Sequence, residues 1–223
     1  MTASIADDVE RRHICITQDV EVLGRRVSLL KPRSIDALID EEDFTRDERL
    51  PYWADLWPAS LVLAGEIASE TGAGRSFLEL GCGLGLATIA ALGAGYDVTA
   101  TDYYADALAF TRTNALRSVG RVPATRLVDW RDLPADLGPF DRVVAADVLY
   151  ERTYGELVAR VLDRVLAAHG TATVADPGRV AADALVHACS ALGLEIAGAP
   201  VRENRDGTVT HRIRLFEVRR AVR

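Results

Sequence analysis

Apolar positions recur along this chain in two periods, and the order in which those periods alternate predicts its architecture. Ile14, Ile16, Val20, Val22, Val27 and Leu29 fall at every second residue on either side of Gly24-Arg25, the pattern of two strands folded into a hairpin. Lys31-Pro32-Arg33 breaks it, Ser34 can cap a short helix running to Asp40, and residues 41–49 form a charged loop. Leu61, Leu63, Ala64 and Ile67 then recur at helical spacing and stop at Gly72. From Phe77 onward the periods alternate. Strands are predicted at 77–80, 98–101, 125–128, 140–148 and 171–175, and helices from 86, over 105–119, over 154–168 with Gly170 behind it, and over 180–192. Two last strands, near 195–201 and 210–218, flank a polar turn at 204–208. Strand-helix alternation of this kind builds an α/β fold, a parallel sheet covered by helices on both faces. The reading divides the chain into an N-terminal extension, residues 1–50, and a main domain, residues 51–223.

One junction carries chemistry. The strand at 77–80 runs into Gly81-Cys82-Gly83-Leu84-Gly85 and then an alanine-rich helix, so a tight turn without side chains faces a helix N-terminus. Such a turn lets a nucleotide-like ligand approach the backbone. The hydride-cofactor fingerprint G-x-G-x-x-G needs a small residue where Leu86 stands, which argues against a nicotinamide dinucleotide. Cys82 reads as a small apolar filler, and Glu79, two residues before Gly81, as an acceptor for amides of the following turn.

Parallel sheets bind ligands at the carboxyl ends of their strands. Four successive strands here end at or near aspartate: Asp102, with Tyr103 beside it, Asp129, with Trp130 beside it, Asp147 and Asp176. Asp102 suits a ribose diol, which needs a bidentate acceptor. Asp129 and Trp130 suit an adenine, its amine read by the acid and its ring packed on the indole. Asp147 closes the central strand. Upstream, Pro51-Tyr52-Trp53-Ala54-Asp55-Leu56-Trp57-Pro58 holds two of the chain's three tryptophans. Trp53 and Trp57 are read either as plugs in the seam behind the N-terminal piece or as a pocket wall, whose aromatic face attracts a cation.

Composition narrows the choice of partner. A chain of 223 residues with 49% hydrophobic and 26% charged positions buries a full core, and a net charge of −7 argues against wrapping nucleic acid. Three scattered cysteines suggest a reducing compartment, and four dispersed histidines predict no metal site. The start lacks a basic region followed by an apolar core, and no apolar run approaches the roughly 20 residues of a membrane span, so a cytoplasmic protein without a membrane partner is expected. Oligomeric state is not legible.

Glu79-x-Gly81-x-Gly83-x-Gly85 resembles motif I of the class I methyltransferases that use S-adenosylmethionine (SAM). Asp147-Val148-Leu149-Tyr150 is similar to the D-x-x-Y motif of seven-strand protein-lysine methyltransferases. Leu29-Leu30-Lys31-Pro32-Arg33, Tyr52-Trp53-x-x-x-Trp57-Pro58 and Asp176-Pro177-Gly178-Arg179 resemble segments of the electron-transfer-flavoprotein β-subunit lysine methyltransferases. The resemblance, over about residues 27–218, implies a Rossmann-like sheet of seven strands, mostly parallel with the last antiparallel. It implies SAM as cofactor, S-adenosylhomocysteine as product, and lysine on a protein as acceptor, the flavoprotein β subunit being the named candidate. Cofactor residues would be Trp57, Glu79, Gly81, Cys82, Gly83, Gly85, Asp102, Tyr103, Asp129, Trp130 and Asp147. Asp147 would orient the amine with Tyr150 as its hydrogen-bonding or packing partner, and Trp53, Asp176 and Arg179 would meet substrate. Arg179 is read as paired with Asp176 or as facing an acidic protein. A small-molecule acceptor and a noncatalytic SAM-binding scaffold are the alternatives.

Overall fold

Seen in a computed structural model that describes residues 9–35, 38 and 50–221, the chain opens with a helical turn at 9–12 and then forms two sheets. β1 (Cys15–Val22) and β2 (Arg25–Pro32) pair antiparallel around Leu23-Gly24 as a sheet of their own. The expected helix to Asp40 and the charged loop fall largely outside the described residues. A short 3-10 turn, Tyr52–Ala54, leads into α1 (Pro58–Ala68), started by a proline whose missing amide has no helical partner at that position. The alternating series follows as β3 (Ser76–Leu80), α2 (Leu86–Gly93), β4 (Asp97–Asp102), α3 (Ala105–Val119), β5 (Ala124–Leu127) and β6 (Phe140–Ala146). It continues with α4 (Tyr154–Val165), β7 (Leu166–Asp176), α5 (Ala182–Ala191), β8 (Leu194–Gly198), β9 (Val201–Asp206) and β10 (Val209–Arg220).

The large sheet has the order β5-β4-β3-β6-β7-β10-β8, with β9 beside β10. Strands β5 to β7 are parallel, and β10 runs antiparallel to β7, β8 and β9. The mostly parallel sheet with an antiparallel last strand is therefore present. Side-chain alternation assigns the two faces. Leu78, Leu80, Val143 and Ala145 join one buried cluster, under α4 and α5. Phe77, Val98, Val144 and Leu215 join the other, under α1 and α2. Among the described residues no helix is long and apolar enough to cross a membrane.

Two expectations change. The helix predicted to 168 ends at Val165, because Leu166 already pairs with Phe140 in the sheet. Gly170 therefore caps no helix; it lies inside β7, where a Cβ would stand 2.7 Å from the Phe140 carbonyl oxygen, so only glycine permits that approach. His169 sits in the same strand. The tail holds three strands and not two. Pro200, which has no amide to give a ladder, separates β8 from β9, and the turn shrinks to Gly207-Thr208.

Candidate active site

Strand order turns back between β3 and β6, so the connections leaving their carboxyl ends diverge and open a crevice there. The glycine loop forms one wall. Gly81, Gly83 and Gly85 all have positive φ, of 70°, 51° and 83°. At Gly85 a Cβ would lie 2.8 Å from Thr111 Cγ2 and 3.0 Å from Thr111 Cα, so α2 can start against α3 only without a side chain. The Gly83 amide donates to Asp102 Oδ2 at 3.0 Å, and the Tyr104 amide donates to Asp102 Oδ1 at 3.0 Å. Asp102 thus ties the end of β4 to the loop after β3. Burial raises its carboxyl to about 6, opposed by these amide bonds.

Glu79 behaves differently from the sequence reading. Its carboxylate receives Thr88 Oγ1 of α2 at 2.5 Å, and burial pushes its pKa up to about 8. Glu79 also takes the backbone amide of Thr88 in the first turn of α2, while the amide of Gly83 within the glycine turn goes to Asp102. Cys82 is 5% exposed and its thiol is held well above its ordinary value by burial, so it is an inert filler of the loop.

The opposite wall begins at Asp147. This residue follows β6 with φ of 60°, an uncommon value for a side chain other than glycine, and its amide donates to the Ala175 carbonyl at 2.9 Å. Its carboxylate is gripped by Arg179, Nε to Oδ1 at 2.6 Å and Nη2 to Oδ2 at 3.1 Å. The guanidinium carbon also lies 5.5 Å from the Trp57 ring centre. Arg179 therefore pairs its side chain with Asp147, and gives Asp176 only its backbone amide, at 3.0 Å. Asp176 itself is 1% exposed and occupied by the amides of Gly178 and Arg179, so it fixes the Asp176-Pro177-Gly178-Arg179 turn and does not face a substrate.

Aromatic rings close the site. Tyr150 stands 5.6 Å from Tyr52 and 5.2 Å from Tyr154 between ring centres, and Tyr52 stands 6.0 Å from Trp57. Burial of part of its ring, with Tyr154 beside it, raises the Tyr150 hydroxyl above the ordinary phenol value, so it stays protonated. The hydrogen-bonding partner of Asp147 is Arg179, and Tyr150 packs among rings. Trp53, 9% exposed, packs 5.5 Å from Phe110 in a cluster with Leu30 and Leu84, which is the seam position. It also borders the cavity, so the two readings of Trp53 are one arrangement.

These walls enclose a cavity of about 500 Å³. Of the residues singled out from sequence, Trp53, Trp57, Glu79, Gly81, Cys82, Gly83, Gly85, Asp102, Tyr103, Asp129, Trp130, Asp147 and Tyr150 line it, while Asp176 and Arg179 do not. Asp129 has Arg131 on both carboxylate oxygens, at 3.0 Å and 2.7 Å. Tyr52, quoted in sequence only as part of the Trp-Pro segment, also lines the cavity, as do Tyr104 and Tyr154, which the sequence reading did not single out. Tyr154 had a signal, four residues from Tyr150, a spacing that brings rings together around a helix start.

The sequence profile of the lysine methyltransferase family matches residues 45–184. The chain belongs to the lysine methyltransferase family. Relatives within reach of sequence comparison include the electron transfer flavoprotein beta subunit lysine methyltransferases of Danio rerio and Rattus norvegicus. The first is 31% identical over 134 residues, 58% of this chain and 51% of the relative; the second is 27% identical over 167 residues, 72% and 64%. The chain spans about half the length of the first of these. Among solved structures, magnesium protoporphyrin IX methyltransferase of Synechocystis with bound SAM superposes with a TM-score of 0.59 at 18% identity, over 81% of this chain and 98% of that one. A TehB-like SAM-dependent methyltransferase of Corynebacterium glutamicum gives 0.55 at 16% identity, over 81% and 94%. At such identities these neighbours establish the fold.

The family's methyl donor is SAM, and the residues here fit it. The cavity volume lies within the range of small-molecule sites, about 300 to 1,000 Å³. Asp102 retains acceptor capacity beyond its amide bonds, since a carboxylate offers about four lone-pair sites. Trp130 and Val128 supply an apolar surface beside Asp129, and the glycine loop supplies bare backbone.

Proposed function

We propose that this chain transfers the methyl group of SAM to the side-chain amine of a lysine on a protein. The observation that carries the reading is Asp147: a carboxylate at the carboxyl end of the central strand, lining the same cavity as the glycine loop, Tyr52, Trp57 and Tyr150. Asp102, Gly81, Gly83, Trp130 and Asp129 would hold the cofactor, whose contribution when bound is a methyl group on a positively charged sulfur. Asp147 accepts from the lysine nitrogen and aims its lone pair, which is most of what an in-line displacement asks of a protein. The lysine proton leaves to solvent, because Tyr150 stays a neutral phenol and is no base. Aromatic faces favour the cationic amine on arrival and hold its methylene stem.

The names of the relatives make the beta subunit of electron transfer flavoprotein the first substrate to try. The decisive experiment incubates the protein with methyl-labelled SAM and either that subunit or a host lysate, followed by hydrolysis to amino acids. Label recovered as methyllysine supports the reading; label confined to small metabolites replaces it with a small-molecule acceptor.

A further inference from the structure

We infer that Arg179, which stands outside the cavity lining, holds the Asp147 carboxylate that the acceptor amine needs, as an internal cation that the incoming lysine must displace there. This inference rests on the proposed lysine-methylating reading of the cavity and names the groups that receive the ammonium. A primary ammonium seat needs a carboxylate and an aromatic face within reach of one cation. Both are present around a single group, the Arg179 guanidinium. It holds both oxygens of Asp147 and lies 5.5 Å from the Trp57 ring centre.

The alternative role for this arginine is a brace for the Asp176-Pro177-Gly178-Arg179 turn. That turn is already closed by the backbone amides of Gly178 and Arg179 on Asp176, at 2.8 Å and 3.0 Å, and Ala181 donates to the Leu149 carbonyl at 3.2 Å. The guanidinium gives Asp176 no hydrogen bond; its donors reach across to Asp147. Its own side chain remains 36% exposed while that of Asp147 is 4% exposed. A cation that is accessible on one side and paired on the other can swing out without leaving a hole in the core. Displacement then exchanges one charge-assisted partner of Asp147 for another, so the buried carboxylate is never left unpaired. An acceptor without a cation cannot make that exchange, which turns Arg179 into a filter for protonated amines.

Butylammonium, the lysine side-chain head on its stem, tests this with calorimetry or tryptophan fluorescence at fixed ionic strength. If Arg179 fills the seat about nine-tenths of the time, its removal tightens apparent binding about tenfold. Arg179→Ala and Arg179→Gln should both bind butylammonium about tenfold more tightly than the wild type. The glutamine variant keeps a hydrogen-bond donor for Asp147 should the alanine variant melt early. Neutral butanol should show no such gain. In the unaltered protein, the Arg179 Nε–H resonance should move toward that of a solvent-exposed arginine as butylammonium saturates. Equal or weaker butylammonium binding in both variants, or an Nε–H resonance unmoved at saturation, overturns the inference. Tighter binding in the variants with no methyllysine formed by the wild type retains the seat and removes the protein acceptor. Methyllysine formation with unchanged butylammonium affinity retains the function and removes the gate.

Discussion

Asn114 holds Leu30 by both polar groups of its backbone, accepting from the amide at 2.8 Å and donating to the carbonyl at 2.9 Å. The same nitrogen donates to the Leu84 carbonyl at 2.9 Å, so one fully buried side chain on α3 fastens the N-terminal hairpin and the glycine loop together. Lys31 reinforces the join by pairing with Asp55. Asn114→Ala strands three buried backbone groups, and each unsatisfied group costs roughly 1–3 kcal/mol. The expected loss is about 3 kcal/mol, read as a lower urea midpoint. A change below about 0.5 kcal/mol would mean that the hairpin is not held this way.

Asp102→Asn replaces an oxygen by an NH₂ group, which then faces either the Gly83 or the Tyr104 amide, donor against donor. Charge-assisted bonds of this kind are worth about 1.5–3 kcal/mol. SAM affinity measured by calorimetry should therefore fall about 10- to 100-fold, with the fold retained by circular dichroism.

Glu79 makes stability depend on pH in an unusual direction. Its folded-state pKa, about 8, lies above the ordinary 4.5. Between those values the folded chain binds more protons than the unfolded one, so stability falls as pH rises. The contribution is fully present below about pH 4.5, is lost progressively up to about 8, and is flat beyond; Asp102, raised to about 6, acts the same way over a lower window. Chemical denaturation of the cofactor-free protein from pH 5 to 9 should show the decline, and Glu79→Gln should flatten its upper part. A profile in Glu79→Gln identical to the wild type would remove Glu79 as its source.

Asp147 is best probed with asparagine, because Asn tolerates the left-handed backbone at φ of 60° as well as Asp does. Asp147→Asn should keep SAM affinity within a few-fold while transfer to lysine falls about 100- to 10,000-fold, the span of a lost proton-handling or orienting group. Loss of SAM binding in step with transfer would instead assign Asp147 to the cofactor alone.

Tyr150→Phe keeps the ring between Tyr52 and Tyr154 and removes only a hydroxyl, so transfer should fall less than about tenfold; Tyr150→Ala opens the ring cluster and should raise the KM for the protein substrate further. Equal effects of the two would shift the weight from packing to the hydroxyl.

Much of this was legible in the chain itself, for physical reasons. Periods of two and 3.6 are imposed by burial on one face, so β3 to β7 and α1 to α5 announced themselves, and glycine at 81, 83 and 85 is a local demand of a positive-φ turn. Aspartates at strand ends were visible because parallel topology puts those ends together. Gly170 misled, since a glycine after a helical pattern ordinarily caps it, and here the approach of Phe140 from a distant strand required it. What only the tertiary structure decided is which acid faces which donor. Glu79 turned to Thr88, Asp102 took the amides of the glycine loop, Asp176 closed its own turn, and Asp147 received Arg179 across 32 positions of sequence. Residue type fixes that a buried carboxylate must be paired; the partner is set by which loops the sheet order brings side by side, and no local pattern carries that.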